Sequence, residues 1–259
     1  MVLIATVLGL LCGSFANVLI ARVPVDEQWW SGSSRCLSCR ADIAWYDNVP
    51  LVSWVVLRGR CRKCKAPIGI RYPLVEASTA VLFALAAWRF GVSALSVTLL
   101  VLAVICVALA VIDLDHRRLP SVLTYPSYVI AALGLILHSV ITADWWLLAR
   151  GVIGMAALGG FYQVMRFASR GGMGRGDVIT AGFLGLILGG VSWKAFAVGA
   201  IAGPLVGGVA GICAMIAARQ ARGLRIPYGP WLISGAWIGL LFGDTLSDWY
   251  LDVVTLSLS

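Results

Sequence analysis

The chain reads as an all-α polytopic membrane protein of about eight transmembrane helices, with a small cytoplasmic four-cysteine zinc-binding segment after the first helix. Three observations predict this class. Of the 259 residues, 60% are hydrophobic and only 12% are charged, about half the charged share of a soluble domain. The apolar residues come in runs of about 18 to 25, the length that crosses a hydrocarbon core as a helix. The only sizeable polar stretch, residues 21–72, holds two Cys-x-x-Cys knuckles. Backbone exposed to lipid must satisfy its own hydrogen bonds, so the runs are expected as helices. The short alternating segments of a membrane barrel do not occur.

The candidate spans are 1–20, 73–90, 94–112, 122–141, 145–165, 177–191, 193–218 and 228–246. The first is expected to be a retained helix rather than a signal peptide. It lacks a basic n-region, it contains Asn17, and Arg22 follows it in place of a small-residue cleavage site. The span at 177–191 is short and glycine-rich. The chain thus divides into a first transmembrane helix (1–20), a polar segment (21–72) and a helical core (73–259). The polar segment is too short to build a large core of its own, and segments of that size commonly need a metal or disulfides. Glycines at three- and four-residue spacing through the second half, among them Gly151, Gly154, Gly182, Gly185 and Gly189, read as close helix contacts.

The net charge is +8. In a multi-spanning protein such a charge is explained by Lys and Arg retained on the cytoplasmic side, so the partner it implies is the lipid bilayer and not nucleic acid. With the N-terminus outside and eight alternating spans, seventeen of the twenty basic residues fall inside. Nine of them lie in 21–72, joined by Arg117, Arg118, Arg166, Arg170, Arg175, Arg219, Arg222 and Arg225. Arg89, Arg150 and Lys194 are left outside, where Asp244, Asp248 and Asp252 also fall.

Cys36-x-x-Cys39 and Cys61-x-x-Cys64 are separated by twenty-one residues. Each knuckle can present two thiolates to one ion, and two knuckles complete a tetrahedral four-sulfur site. A reducing cytoplasmic location argues against two structural disulfides. Zinc is the expected ion, and a closed four-sulfur site leaves it a structural role; an iron–sulfur centre or redox chemistry is the alternative. Cys12, Cys106 and Cys213 stand singly in apolar spans and read as small buried hydrophobes.

Two acids stand out because charge inside a span is expensive and defaults to function. Asp113 closes a long apolar helix in Ile112-Asp113-Leu114-Asp115-His116-Arg117, and Asp177 opens another in Gly174-Arg175-Gly176-Asp177. Both sit at cytoplasmic helix ends, so the fold can bring them to one depth. The plain alternatives are an i,i+4 pair of Asp113 with Arg117 and an ordinary first-turn acid at Asp177. Asp115, two residues from Asp113, points elsewhere on its helix. Two carboxyls held close in a dry site share one proton, which suits a water-activating base beside a carbonyl-supporting acid. A different class of protein, a non-enzymatic scaffold or a transporter, competes with this reading. Transporters place their polar groups at broken helices near the midplane, whereas these acids lie at helix ends.

Taken together, the residues resemble the bacterial prepilin peptidases, or type IV leader peptidases, which are integral-membrane Gly-x-Gly-Asp aspartyl proteases. The resemblance runs through Gly13-Ser14-Phe15-x-Asn17 with Arg22 and Pro24, the knuckles, Asn48-x-Pro50-Leu51-x-Ser53-Trp54 and Arg71-Tyr72-Pro73-x-Val75-Glu76. It continues through Ile112-Asp113-x-Asp115, Leu119-Pro120, Gly172-Met173-Gly174-x-Gly176-Asp177 and Pro227-x-Gly229-Pro230. It implies Asp113 and Asp177 as the catalytic pair, with Gly174, Gly176, Asp115 and Glu76 in supporting motifs. It further implies a bacterial inner-membrane enzyme that removes the basic leader of type IV prepilins or type II secretion pseudopilins after a glycine. S-adenosylmethionine-dependent N-methylation of the new terminus would follow, with zinc structural only. Glu76 and Asp115 are acids that could attract a basic leader. Two positions depart from the family pattern: Ser121 stands where an acid or amide usually follows Leu-Pro, and Ile179 where lysine usually follows the second aspartate. A catalytically degenerate copy is what those departures would produce if the lysine tunes the pair.

Overall fold

The structure, a computed structural model, describes residues 1–32, 34–36, 38–169, 173–218 and 227–258, the last three of these as backbone only. Arg170, Gly172, Arg219, Arg222 and Arg225, which entered the charge pattern or the motifs above, lie outside the described residues. The described residues form nine α-helices: α1 (Val2–Arg22), α2 (Val52–Val56), α3 (Arg71–Phe90), α4 (Ala94–His116), α5 (Ser121–Thr142), α6 (Trp146–Ala168), α7 (Arg175–Val191), α8 (Trp193–Ala218) and α9 (Gly229–Leu258). Among the described residues, extended pairing is confined to two single bridges, Arg35 with Asp42 and Arg60 with Pro67.

Every candidate span is a helix, and six of them (α1, α3, α4, α5, α6 and α8) are long and apolar enough to cross a membrane. With 17 residues, α7 is not among the six, and neither is α9, which runs on to Leu258 past the expected end at 246. The chain forms two compact units, Met1–Val111 and Ile112–Ser259, with the division falling inside α4.

In the first unit α1 packs along α3. The contact is close because of two glycines one turn apart: a Cβ at Gly9 would stand 2.6 Å from Ala80 Cα, and one at Gly13 would stand 2.6 Å from Glu76 Cα. One turn beyond Gly13, Asn17 Nδ2 donates to the Tyr72 carbonyl at 3.1 Å, tying the end of α1 to the start of α3.

In the second unit α7 is the central element and packs against α5, α6, α8 and α9. Residues Thr180 through Gly190 are all buried. That burial accounts for its short, glycine-rich sequence, because a helix wrapped by protein need not present an apolar surface to lipid. The α6–α7 contact is made by glycine backbone: a Cβ on Gly154 or Gly185 would collide with the other's carbonyl oxygen, and one on Gly189 with that of Arg150. Close approach of this kind lets dispersion act where lipid removes the hydrophobic drive. Gly185→Val is expected to cost about 1–3 kcal/mol or more, the range for overpacked cores. Thermal unfolding in detergent would reveal it, and an unchanged midpoint would mean that the two helices do not approach this closely. At one end of the unit, Lys194 at the start of α8 pairs with Asp248 of α9, so two residues assigned to the outer face by charge do share one end.

Of the lone cysteines, Cys106 is buried as expected, Cys12 is half-buried, and Cys213 is exposed on the surface of α8.

Candidate active site and cysteine cluster

Both aspartates belong to the second unit. Asp113 lies in the last turn of α4, which Arg117 ends in a left-handed conformation (φ 53°), and Pro120 leads into α5. Asp113 is only 4% exposed. It does not pair with Arg117: its Oδ2 accepts the Gly229 backbone N–H at 2.9 Å, at the first residue of α9. Asp177 stands in the first turn of α7, and its Oδ2 accepts the N–H of Gly174 at 3.1 Å. The helix-capping alternative is thus realised geometrically at Asp177, and nothing in it conflicts with chemistry at the other oxygen. The charges of Asp113 and Asp177 act on each other, so the ends of two helices far apart in sequence meet in one electrostatic site.

The Gly-x-Gly-Asp motif has a steric explanation. Gly174 has φ −69° and ψ 149°, values open to any residue. A Cβ at Gly174 would lie 3.0 Å from Asp177 Oδ2 and press on that carboxyl, and one at Gly176 would lie 2.9 Å from Leu119 Cβ, so Leu119 would have to shift. Leu119 also touches Gly229, where a Cβ would meet its Cδ2 at 3.1 Å and Asp113 Oδ2 at 2.8 Å. Leu119 therefore wedges the starts of α7 and α9 together beside Asp113. Gly229→Ala is expected to displace the Asp113 carboxyl and lower kcat by about 10²-fold, the scale of an ångström-sized misplacement. Cleavage kinetics at saturating substrate would check this, and an unchanged kcat would remove Gly229 from the site.

Three tyrosines complete the surroundings, and sequence reasoning did not single them out. Tyr162 of α6, 2% exposed, shares a 3.0 Å hydroxyl–hydroxyl hydrogen bond with Tyr228, the residue before Gly229. Asp177 lies near enough for its charge to reach Tyr162. Tyr128 of α5 donates to the Ile179 carbonyl at 2.7 Å, two residues on from Asp177. Of the two departures from the family pattern, Ile179 is partly buried, while Ser121 is exposed at the start of α5. Asp115 is exposed. Glu76 belongs to the first unit and is 9% exposed, with Oε2 accepting the Leu51 N–H at 2.8 Å. It is a wall residue rather than a surface acid.

The four knuckle cysteines come together in the first unit, with all four sulfurs within 4.8 Å of one another. Cys36 Sγ and Cys64 Sγ stand 3.7 Å apart, and four sulfurs about 2.3 Å from a tetrahedral zinc stand about 3.8 Å apart. The donor set and its spacing therefore fit such an ion. The knuckles are copies of one structure. Cys36 N–H bonds Ala41 O and Arg40 N–H bonds Cys36 O, as Cys61 N–H bonds Ala66 O and Lys65 N–H bonds Cys61 O, all at 2.9–3.0 Å. Arg40 and Lys65 are both left-handed, at φ 55° and 60°. The underlying repeat, Arg35-Cys36-x-x-Cys39-Arg40-Ala41-x-Ile43 against Arg60-Cys61-x-x-Cys64-Lys65-Ala66-x-Ile68, is legible in the sequence once the hydrogen bonds point to it. Backbone N–H groups of Cys39 and Ser38 lower the Cys36 thiol to about 6. The Ala66 N–H acts in the same direction on Cys64, but burial and the three neighbouring thiols prevail and raise it to about 11. Without a cation, the cluster cannot cheaply hold four negative charges. Arg62 forks onto Asp47, with its closest approach 2.6 Å, and holds that carboxyl below the usual range. The pair braces the second knuckle against the turn before α2.

Residues 100–217, which include both aspartates, match the model of the Type IV leader peptidase family, and residues 7–90 match the Bacterial Peptidase A24 N-terminal domain. A prepilin leader peptidase/N-methyltransferase of Stutzerimonas stutzeri is 35% identical over 98% of this chain and 95% of its own. One from Pseudomonas aeruginosa is 34% identical over 97% and 93%, and one from Myxococcus xanthus is 39% identical over 83% and 63%. No solved structure matches the chain. With both units touched by family models and relatives aligned over nearly their whole lengths, the chain belongs to the type IV leader peptidase family.

Proposed function

We propose that this protein is a prepilin peptidase of the bacterial inner membrane that uses Asp113 and Asp177 to remove the basic leader of type IV prepilins or type II secretion pseudopilins. It then methylates the new N-terminus. The observation that carries the peptidase reading is that Leu119 lies against both Gly176 and Gly229, drawing the start of α7 to the Asp113 end of α4, with one oxygen of each carboxyl committed to a backbone N–H. That leaves Oδ1 of each for chemistry. The ionised member takes a proton from water as the water oxygen bonds to the scissile carbonyl carbon, and the protonated member donates to the carbonyl oxygen. Collapse breaks the C–N bond, and the proton passes to the leaving amine. Burial strengthens both interactions, because fixed groups in a low-dielectric site need not reorganise.

The finer arrangement is part of the same reading. The bundle has eight spans, counting the shielded α7 and the apolar start of α9, with the N-terminus outside and both acids near the cytoplasmic face. Residues 21–72 form the cytoplasmic segment, in which Cys36, Cys39, Cys61 and Cys64 hold a structural zinc. S-adenosylmethionine, when bound, would supply the methyl group for the new N-terminal amine. The exposed Asp115 attracts the basic leader from the cytoplasmic side.

The test is cleavage of prepilins by the purified protein in liposomes, with sequencing of the product's N-terminus. Cleavage after the leader glycine supports the reading. Candidate prepilins and pseudopilins that all stay intact would sink it and make Ser121 and Ile179 the first positions to revert.

A further inference from the structure

Tyr162 of α6 is among the largest side chains buried in the second unit, and it carries a hydroxyl into that core. A buried hydroxyl costs free energy unless it is bonded. Its partner is the hydroxyl of the half-buried Tyr228, 3.0 Å away, with the two rings 5.7 Å apart and tilted by 48°. Two phenylalanines would fill the same space without any polar group to satisfy, and such an exchange can be nearly neutral or stabilising. Packing alone therefore does not account for the pair.

The place where the bond ends does account for it. Tyr228 is where α9 begins: its carbonyl accepts the N–H of Leu232 at 3.2 Å. The next N–H, that of Gly229, is one of those that a helix start leaves without an intrahelical acceptor, and it goes to Asp113 Oδ2 at 2.9 Å. The side chain of Tyr228 thus fixes a residue whose neighbouring N–H holds the Asp113 carboxyl. Tyr162 fixes Tyr228 in turn, from a helix whose Gly154 lies against Gly185 of α7, and α7 carries Asp177 in its first turn. A continuous series of contacts runs from the helix of one acid to the carboxyl of the other. Apolar contact with Leu119 sets how near these helix ends come, whereas a hydrogen bond is directional and sets how the Gly229 N–H is aimed.

We infer that Tyr162 and Tyr228 are positioning residues of the peptidase: their hydrogen bond aims the Gly229 N–H and so holds the Asp113 carboxyl in register with Asp177. The inference rests on the peptidase part of the proposed function and adds two residues to it. Tyr-Gly occurs only once in the chain, at Tyr228-Gly229. Full-length protein in detergent, isotopically labelled at tyrosine carbonyl carbons and glycine nitrogens, therefore gives one amide signal through that peptide bond, the signal of Gly229 itself. Asp113→Ala marks where the signal falls without its acceptor. Tyr162→Phe should move the signal toward that position. It should also lower kcat for prepilin cleavage about 10- to 10²-fold with KM little changed, between the loss of one hydrogen bond and an ångström-sized misplacement.

Stability separates positioning from packing. Tyr228→Phe strands the Tyr162 hydroxyl in the core and should lower the thermal midpoint, whereas Tyr162→Phe and Tyr228→Phe combined remove both hydroxyls and should restore it. Activity should stay low in that double variant. A double variant that regains activity along with stability, or a Gly229 signal that stays in place in Tyr162→Phe, overturns the inference and leaves the aspartate pair standing. Unmutated protein that cleaves no prepilin overturns the peptidase reading and this inference with it.

Discussion

Asp113→Asn and Asp177→Asn, made separately, should each lower prepilin cleavage by about 10²–10⁴-fold, the contribution of a positioned acid or base. Each substitution keeps the size of the side chain and the oxygen that can accept the Gly229 or Gly174 N–H. The helix ends should therefore stay in place, and thermal unfolding in detergent should change little. The two variants should also be about equally inactive when combined, because residues that act as one unit lose the whole effect at the first removal. Full-time-course cleavage with matched unfolding curves makes the check. A folded variant with near-normal turnover would remove that carboxyl from the chemistry. Losses that multiply in the double variant would mean that the acids act independently, and the shared-proton mechanism would have to go.

Loss of one zinc ligand should have the second large effect, on structure rather than on the reacting bond. Cys61→Ser leaves three sulfurs in a site whose geometry fits four. The first unit's cysteine segment has little apolar core: Trp45, Val52, Val55 and Val56 are exposed. Metal binding in small zinc modules supplies about 10–16 kcal/mol, comparable with or larger than the whole stability of a typical domain. The unsubstituted protein should contain one zinc per chain by elemental analysis. The Cys61→Ser protein should contain far less and be cut readily by proteases between α1 and α3, while cleavage sites beyond α4 stay protected. Full zinc content in the variant, with an unchanged digestion pattern, would defeat the structural-metal reading.

The helices were legible because lipid imposes a rule that any single segment must obey: enough apolar residues, with all backbone bonds made internally. The eight runs became helices for that reason, with ends displaced by a few residues and α9 extended by twelve. Spacing rules made the knuckles equally readable, since two cysteines three apart can reach one ion from a single turn. Asp113 and Asp177 were conspicuous as charges where charge is costly. Their partners were not. Tyr228 and Gly229 fell at the start of the last candidate span, and nothing in the sequence joined them to Asp113 or to Tyr162. Glu76 read as an acid that could attract a basic leader, and only its packing beside Gly13 shows it as buried.

By itself, then, the sequence determined the all-helical class, the approximate span limits, the four sulfur donors and the two acids, each through physics acting over a few residues. The tertiary structure decided that α7 is shielded by protein, that Leu119 wedges Gly176 and Gly229 beside Asp113, and that a backbone N–H from residue 229 holds that carboxyl. It also decided that Asn17 and Glu76 share one cavity. These are meetings between residues distant in the chain. They depend on how near one helix can come to another, which glycine contacts set through sub-ångström steric limits. No local pattern of hydropathy or charge encodes such distances.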